Sequence, residues 1–429
     1  MVKNKYFASL TKATLVTLFF ILAQLFYDIE VVRSNIEDIG FDITNKIVLE
    51  KRTENLAAPK LMLFGFDDAY MQSEGLFDEN NKTNYGYLFP RDRIGRFIAD
   101  LDDFCLEVSP KNHPKALFID YDFSYSSMPY GKNLAKEDNE LLEILKKDRP
   151  YIILLPKTDQ ANLIEQSNDP ILQQHLKEGK IVLVSVALLS SSDGATRRYL
   201  AYKQFREKTY LNADVALWQL ANNNEINTTL ATQSLKARDI ISNRIVLKGY
   251  VNQSIEDGCQ TSQSYWKNYR MYSANCSLFD IIEEDFAGSL VMLGGTYSDN
   301  TDQFDVLNIG GSESLKGIEL HANTLMSLFY FDGQLEPLSF WKSVGLVFTI
   351  FLVVDLIVGM LFTSRLLRNV KLHFMIVMIV MSASMFGISL YLLLYHSLWF
   401  NWFVPVVLFE MVDLFFFVKM KFNKFRKKG

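Results

Sequence analysis

The sequence predicts an α/β domain with a layered, partly parallel sheet, set between one apolar helix on its N-terminal side and three on its C-terminal side. Three observations lead there. Short apolar runs alternate with helix-period segments through the middle of the chain, the order expected of a layered sheet with parallel strands. The runs are continuous rather than alternating, as in strands covered on both faces. Four longer apolar stretches, one before this region and three after it, approach the roughly 20 residues that a bilayer crossing needs.

The elements follow in order. Residues 1–29 read as a short tip and a first membrane helix. Lys3, Lys5 and Lys12 lead into the apolar run Ala13–Phe26, which Tyr6, Phe7 and Leu10 extend forward. A signal peptide begins in the same way, but no small-residue cleavage site follows, so an uncleaved anchor is expected. A soluble core helix would show a polar face, which this run lacks. Residues 30–338 form the large domain. Ile29, Val32, Ile36, Ile39 and Ile43 continue at helical spacing as a stalk, which Pro59 stops. Strands are expected at Leu61–Phe66, Ala116–Ile119, Tyr151–Leu155, Ile181–Leu188, Ile245–Leu247 and Leu290–Leu293. Helices are expected at Arg91–Val108, Lys132–Lys147, Leu211–Ala221 and Gly317–Phe331. In the last of these, Ile318, Leu325 and either Leu328 or Phe329 share an apolar face. Residues 189–208 and 250–278 are polar and read as loops. Residues 339–420 hold three membrane helices, at about 340–362, 372–395 and 398–418, and 421–429 form a basic tail.

Composition agrees with this plan. The 429 residues are 49% hydrophobic and 14% aromatic, with 33 Phe, which suits helices in contact with lipid. A net charge of -5 and the lack of any basic stripe argue against nucleic-acid binding. Basic residues set the orientation. They gather at the N-terminus, at Arg365, Arg368 and Lys371 between the second and third spans, and in the tail from Lys419 to Lys428. The turn at His396 and Ser397 has none. With four spans, all three basic segments fall on one side, the cytoplasm. The large domain is then outside the membrane, and both termini are inside. Trp341, Trp399 and Trp402 fall near the outer ends, where interfacial aromatics are expected.

Few residues suggest chemistry. Acids gather at predicted strand ends: Asp67 and Asp68, Asp120 and Asp122, Asp299 and Asp302. An open α/β sheet places its ligands beyond the carboxyl ends of the strands. These carboxylates, with Arg91 and His321, therefore either line one ligand crevice or cap helices and satisfy loop amides. His321 lies on an otherwise apolar face and is either a satisfied core histidine or a pH-sensitive group. Asp355, Glu410 and Asp413 fall inside predicted spans, where a charge costs roughly 2.5–3.5 kcal/mol on insertion scales. No Lys or Arg is expected within the spans to pair with them, so they bond between helices or meet a partner. Cys259 and Cys276 share one polar region and form either a disulfide or two free thiols. Cys105 reads as a buried small hydrophobe. There is no P-loop, G-x-G-x-x-G, H-E-x-x-H or G-x-S-x-G, so no enzyme, cofactor or metal is expected.

The segments GSLVMLGGTYSDNTDQFDV and KGIELHANTLMSL resemble the end of CHASE2 domains, which are extracytoplasmic sensory modules of bacterial signalling proteins. Gly288, Val291, Gly294, Asp302, Phe304, Gly317, His321, Ala322 and Asn323 carry the match. LMLFGFDDAYM, LFPRDRIGRFIADL and KALFIDYDFS resemble its start, through Asp67, Asp68, Pro90, Arg91, Asp120 and Phe123. The likeness spans roughly residues 35–336 and extends to the three closing helices. It implies a sensor whose usual cytoplasmic output domain does not follow here. The expectation is a sensory subunit that signals in trans to a separate membrane or envelope protein, with self-association compatible with the sequence. The alternatives are a structural or assembly component that docks envelope proteins on its large domain, and a transport accessory built on the intramembrane acids.

Overall fold

The structure, a computed structural model, describes residues 2–26, 30–48, 58–84, 89–124, 132–160, 162–191, 193–239, 241–248, 250–251, 259–307, 313–361 and 370–412. Two helices open the chain, α1 (Val2–Phe26) and α2 (Glu30–Val48). β1 (Leu61–Phe66) runs into the short α3 (Asp68–Ser73). In α4 (Arg91–Glu107), Ile94, Phe97, Ile98, Leu101, Phe104 and Cys105 recur at spacings of three and four and bury one face. β2 (Ala116–Ile119), α5 (Lys132–Leu145) and β3 (Ile152–Pro156) form one β-α-β step. α6 (Leu163–Gln166), α7 (Pro170–Glu178) and β4 (Ile181–Val184) complete the next. Asp169 caps α7 at its start, and Gly179 ends it at φ 73°, a backbone that an L side chain rarely adopts.

Two antiparallel pairs follow, β5 (Leu188–Ser190) with β6 (Thr196–Tyr199) and β7 (Tyr202–Phe205) with β8 (Lys208–Leu211). Then come α8 (Ala213–Asn223), α9 (Thr228–Ser234), β9 (Tyr250–Val251), β10 (Gln260–Ser264), β11 (Tyr269–Ser273) and β12 (Leu290–Gly295). β13 (Gln303–Leu307) pairs with β14 (Glu313–Lys316), which passes directly into α10 (Gly317–Phe331). The chain closes with β15 (Glu336–Pro337), α11 (Phe340–Leu361), α12 (Val370–His396), β16 (Leu398–Trp399) and α13 (Phe403–Val412).

The main sheet has eight strands in the order β4-β3-β2-β12-β1-β11-β10-β9. The pairings from β4 to β11 are parallel, and β10 and β9 turn antiparallel at the edge. The fold is thus the expected mixed α/β class. Alternation along each central strand feeds two cores. Leu61, Leu63, Ala116, Phe118, Leu290 and Met292 enter one, and Met62, Phe64, Leu117, Ile119, Val291 and Leu293 enter the other. The second core is closed by α4. The first is closed by α8 and α10 and runs on without a break to Val347 and Phe351 on α11, Trp399 on β16 and Phe409 on α13. Gly294 permits this packing, because a Cβ there would lie 2.7 Å from Cβ of Ile318 on α10.

Several expectations need correction. The polar stretches 189–208 and 250–278 are not plain loops: they supply β5 to β8 and, at the sheet edge, β9 to β11. β5 and β7 are partly exposed, and β6 is buried but carries the ion-paired Arg197 and Arg198, so none of them forms an apolar run. Ile245–Leu247 is not a strand. Its backbone is bonded instead by side chains, Val246 N–H to Ser327 and Leu247 N–H to Asn45. Phe340–Val358 and Ile376–His396 are long and apolar enough to cross a membrane, and Ser9–Ala23 and Phe403–Val412 are shorter apolar helices. Arg365 and Arg368, Asp413 and the tail lie outside the described residues.

Candidate functional site

The residues expected to frame one crevice are divided among local tasks. Asp67 caps α3, accepting from the Tyr70 N–H at 2.8 Å, and also accepts from the Ser273 hydroxyl at 3.0 Å. Asp68 accepts from the Ser298 N–H at 2.6 Å, Asp122 from the Ser124 N–H at 2.7 Å, and Asp299 from Lys82 and Thr83. Arg91 is buried, bonded to Asp138 and set over the ring of Phe123.

Asp120, Asp302 and His321 do come together. Asp120 follows β2, Asp302 precedes β13, and His321 projects from the sheet-facing side of α10. A fourth member, Asp214 on α8, was not anticipated. Its carboxylate meets His321 Nδ1 at 2.8 Å, and the imidazole stands edge-on to Phe118. Asp302 occupies the space that a side chain at residue 317 would need, so Gly317 is required there. Burial alone would push the His321 pKa down. Asp214, aided by Asp120 and Asp302, outweighs it and holds the value up at about 9. Burial pushes Asp120 up to about 7, against the pull of His321 and with the push of Asp302 and Asp214. Asp302 and Asp214 are also raised by burial and lowered by His321. The cluster therefore holds protons more tightly than its members would in water, and it can take up or release one near neutral pH. Among the described residues the one metal-type grouping is Cys259, Cys276 and Asp280. Its sulfurs are joined in a disulfide, which leaves no thiolate to bind metal.

A second heavily bonded region lies around α2. Arg197 on β6 makes a two-pronged pair with Asp42, with Nε at 2.8 Å and Nη2 at 2.6 Å, and a second with Asp193. Arg198 and Arg244 converge on Asp38, the latter at 2.6 Å, and Arg244 also lies over the ring of Phe41. Asp38, Asp42, Arg197, Arg198 and Arg244 are all buried. Burial raises the Asp42 pKa, and Arg197 opposes the rise. An adjacent face of α2 meets the connection between α12 and α13. The Trp399 indole donates to Glu37 at 2.7 Å, Trp402 donates to Thr44 at 3.2 Å, and Phe41 packs edge-on against Trp399. Trp399 and Trp402 are thus covered by α2, while Trp341 is exposed. One clue was present in the sequence: Glu37, Asp38 and Asp42 lie close together on the stalk, with the pair Arg197 and Arg198 in a distant polar stretch.

The connection from α10 to α11 is fastened too. Gly333 N–H bonds back to Leu328 O as a helix cap. Gln334 bonds both backbone groups of Lys236. β15 pairs in parallel with β16, and the Tyr330 hydroxyl donates to Leu394 O. Against the expectation that no Lys or Arg would pair with the intramembrane acids, Lys12 on α1 lies 3.6 Å from Asp355. The long side chain of Lys12, counted with the basic tip, lies within the helix and turns toward α11. Glu410 is half-buried on α13.

A family model described as CHASE2 domain matches residues 15–361. No curated protein and no solved structure matches the chain.

Proposed function

The chain belongs to the CHASE2 domain family, and from that premise we propose that it is a membrane-anchored extracytoplasmic sensor that passes its state through its helices to a separate partner protein. The domain lies outside the inner membrane, α1, α11, α12 and α13 cross it, and both termini face the cytoplasm. One observation carries this reading: α2, which follows α1 in the chain, is engaged on one face by the domain through Asp38 and Asp42 and on an adjacent face by the α12–α13 connection through Trp399. A change in the domain that shifts α2 must also shift the helices, because packed interfaces move between discrete arrangements. The membrane partner docks against Glu410 and the face around it, where an acid in the bilayer gains most from a contact.

The test is quantitative co-purification from membranes in mild detergent, with Glu410→Gln beside the natural chain and insertion checked separately. The expected result is loss of a stoichiometric membrane protein from the variant alone. Equal recovery would remove Glu410 from the contact. Phosphatase fusions test the topology: activity after Glu336 and none after Lys428 is expected, and the reverse pattern would end the proposal.

Docking of an envelope protein is favoured by one surface. Leu106, Phe279 and Ile282 are 83%, 52% and 64% exposed around the end of α4. On that reading, charge substitutions there disrupt assembly without touching the α2 network.

A further inference from the structure

A cavity of about 610 Å³ opens where the domain meets the helices. Trp218 and Lys236 line it from the domain, Asp332 and Glu336 from the α10–α11 connection, and His396 from the end of α12. We propose that it binds the headgroup of a phospholipid that carries both a phosphate and an amine. The proposal deepens the sensor reading and rests on α11 and α12 crossing the membrane.

Position comes first. His396 is the last residue of one candidate span, and Phe340, the first of the other, follows shortly after Pro337 on the cavity wall. The cavity therefore lies at the level where apolar helix surface gives way to water. Its volume is within the roughly 300–1,000 Å³ of ligand sites. The lining has two parts. Leu335, fully buried, and Trp218 give it an apolar floor. The rim carries Lys236 and His396 on one count and Asp332 and Glu336 on the other, all four exposed. Lys236 also reaches Asp239 at 3.4 Å, an exposed pair that contributes little by itself. A phosphodiester suits the first two side chains and an ammonium group the second two. A headgroup with phosphate alone would face the two carboxylates uncompensated. The walls are held apart by backbone: Gly333, at φ 122°, turns the chain beneath Trp218, and the Gln334 amide ties it to Lys236. A bound headgroup would touch α8, the α10–α11 connection and α12 together, which places it on the route between domain and helices.

The experiment uses the full chain in nanodiscs with equal phosphatidylethanolamine and phosphatidylglycerol, followed by native mass spectrometry of the released protein. One retained phosphatidylethanolamine is expected. Lys236→Glu and the cavity-filling Ser234→Trp should each reduce its retention about tenfold, a difference of roughly 1.4 kcal/mol. Equal retention of the two lipids, or unchanged retention in both variants, overturns the proposal. So does saturation of the site by water-soluble glycerophosphoethanolamine, which would make the source a free metabolite. A Ser339→Cys variant, labelled by an impermeant thiol reagent, reports on the premise. Labelling from the cytoplasmic side sinks the topology and the proposal together, whereas labelling from outside with no lipid retained sinks the proposal alone.

Discussion

Asp38→Asn should be among the most damaging single substitutions in the domain. The carboxylate is buried on α2 and faces three guanidinium groups, those of Arg198, of Arg244 at 2.6 Å and of Arg197 at 3.8 Å. Arg244 is itself 1% exposed. Removing the negative charge leaves buried cations without it, and breaking a buried pair in this way costs about 3–5 kcal/mol. An exposed pair would lose only about 0–1 kcal/mol. For a domain of this size each kcal/mol lowers the melting temperature by roughly 2–4 °C, so a fall on the order of 10 °C is expected. The assay is thermal unfolding of the full chain in detergent, followed by tryptophan fluorescence. Trp399 packs directly on α2, so its signal reports the same region. A second variant separates loss of charge balance from loss of shape. Asp38→Leu combined with Arg244→Met removes a carboxylate and a cation together and should recover much of the loss, since apolar replacement of a buried pair is often neutral. A fall of less than about 1 kcal/mol for Asp38→Asn would refute the reasoning, and so would a double variant no better than the single.

Stability should fall as pH rises. His321, held up at about 9 from an ordinary 6.5, contributes stability that is complete below pH 6.5 and lost as pH climbs through about 9. Asp120, raised from 3.8 to about 7, likewise favours the folded state at low pH and loses that contribution by neutrality. Melting curves from pH 5 to 9 should show the decline, and His321→Gln should flatten its upper half; a profile unchanged by that variant would remove His321 from the account. Gly294→Ala should cost about 1–3 kcal/mol, because the new methyl meets Ile318 on α10 and the helix must lift from the sheet. Chemical denaturation reads it, and a loss below about 0.5 kcal/mol would show that α10 yields freely. Replacing Cys259 and Cys276 together by Ser should lower stability by about 3 kcal/mol, the value for a loop near the 17-residue separation they close. An unchanged melt, or two alkylatable thiols at these positions in the natural chain, would contradict the bond.

The central sheet was legible because its strands are apolar on both faces: Leu61–Phe66, Ala116–Ile119 and Leu290–Leu293 announce themselves without any context. α4 and α10 were legible by period. The edge strands were not, since Gln260–Ser264 pairs through backbone while its side chains remain polar. Of the strand-end acids, sequence order suggested a common crevice, but a helix cap and a cluster member look alike in one dimension. Asp67 spends its carboxylate on Tyr70 and Ser273, whereas Asp120 turns toward His321. Asp214 escaped notice because it sits near the start of α8, where an acid is ordinary. The α2 network was beyond reach for a simpler reason: its partners are distant in the chain, and charge pairing over such separations leaves no local pattern.

That separation bears on how the protein is made. Glu37 waits for Trp399, Asp42 for Arg197 and Asp38 for Arg198, at separations of 362, 155 and 160 residues. Contacts of high sequence separation form late, because loop closure must precede them. During synthesis α2 is among the first segments to emerge, and its acids stay hydrated until both the domain and the closing helices arrive. Chains arrested before Trp399 should therefore expose α2 to proteases while the central sheet already resists them, so that the strut between domain and helices is the last part of the molecule to set.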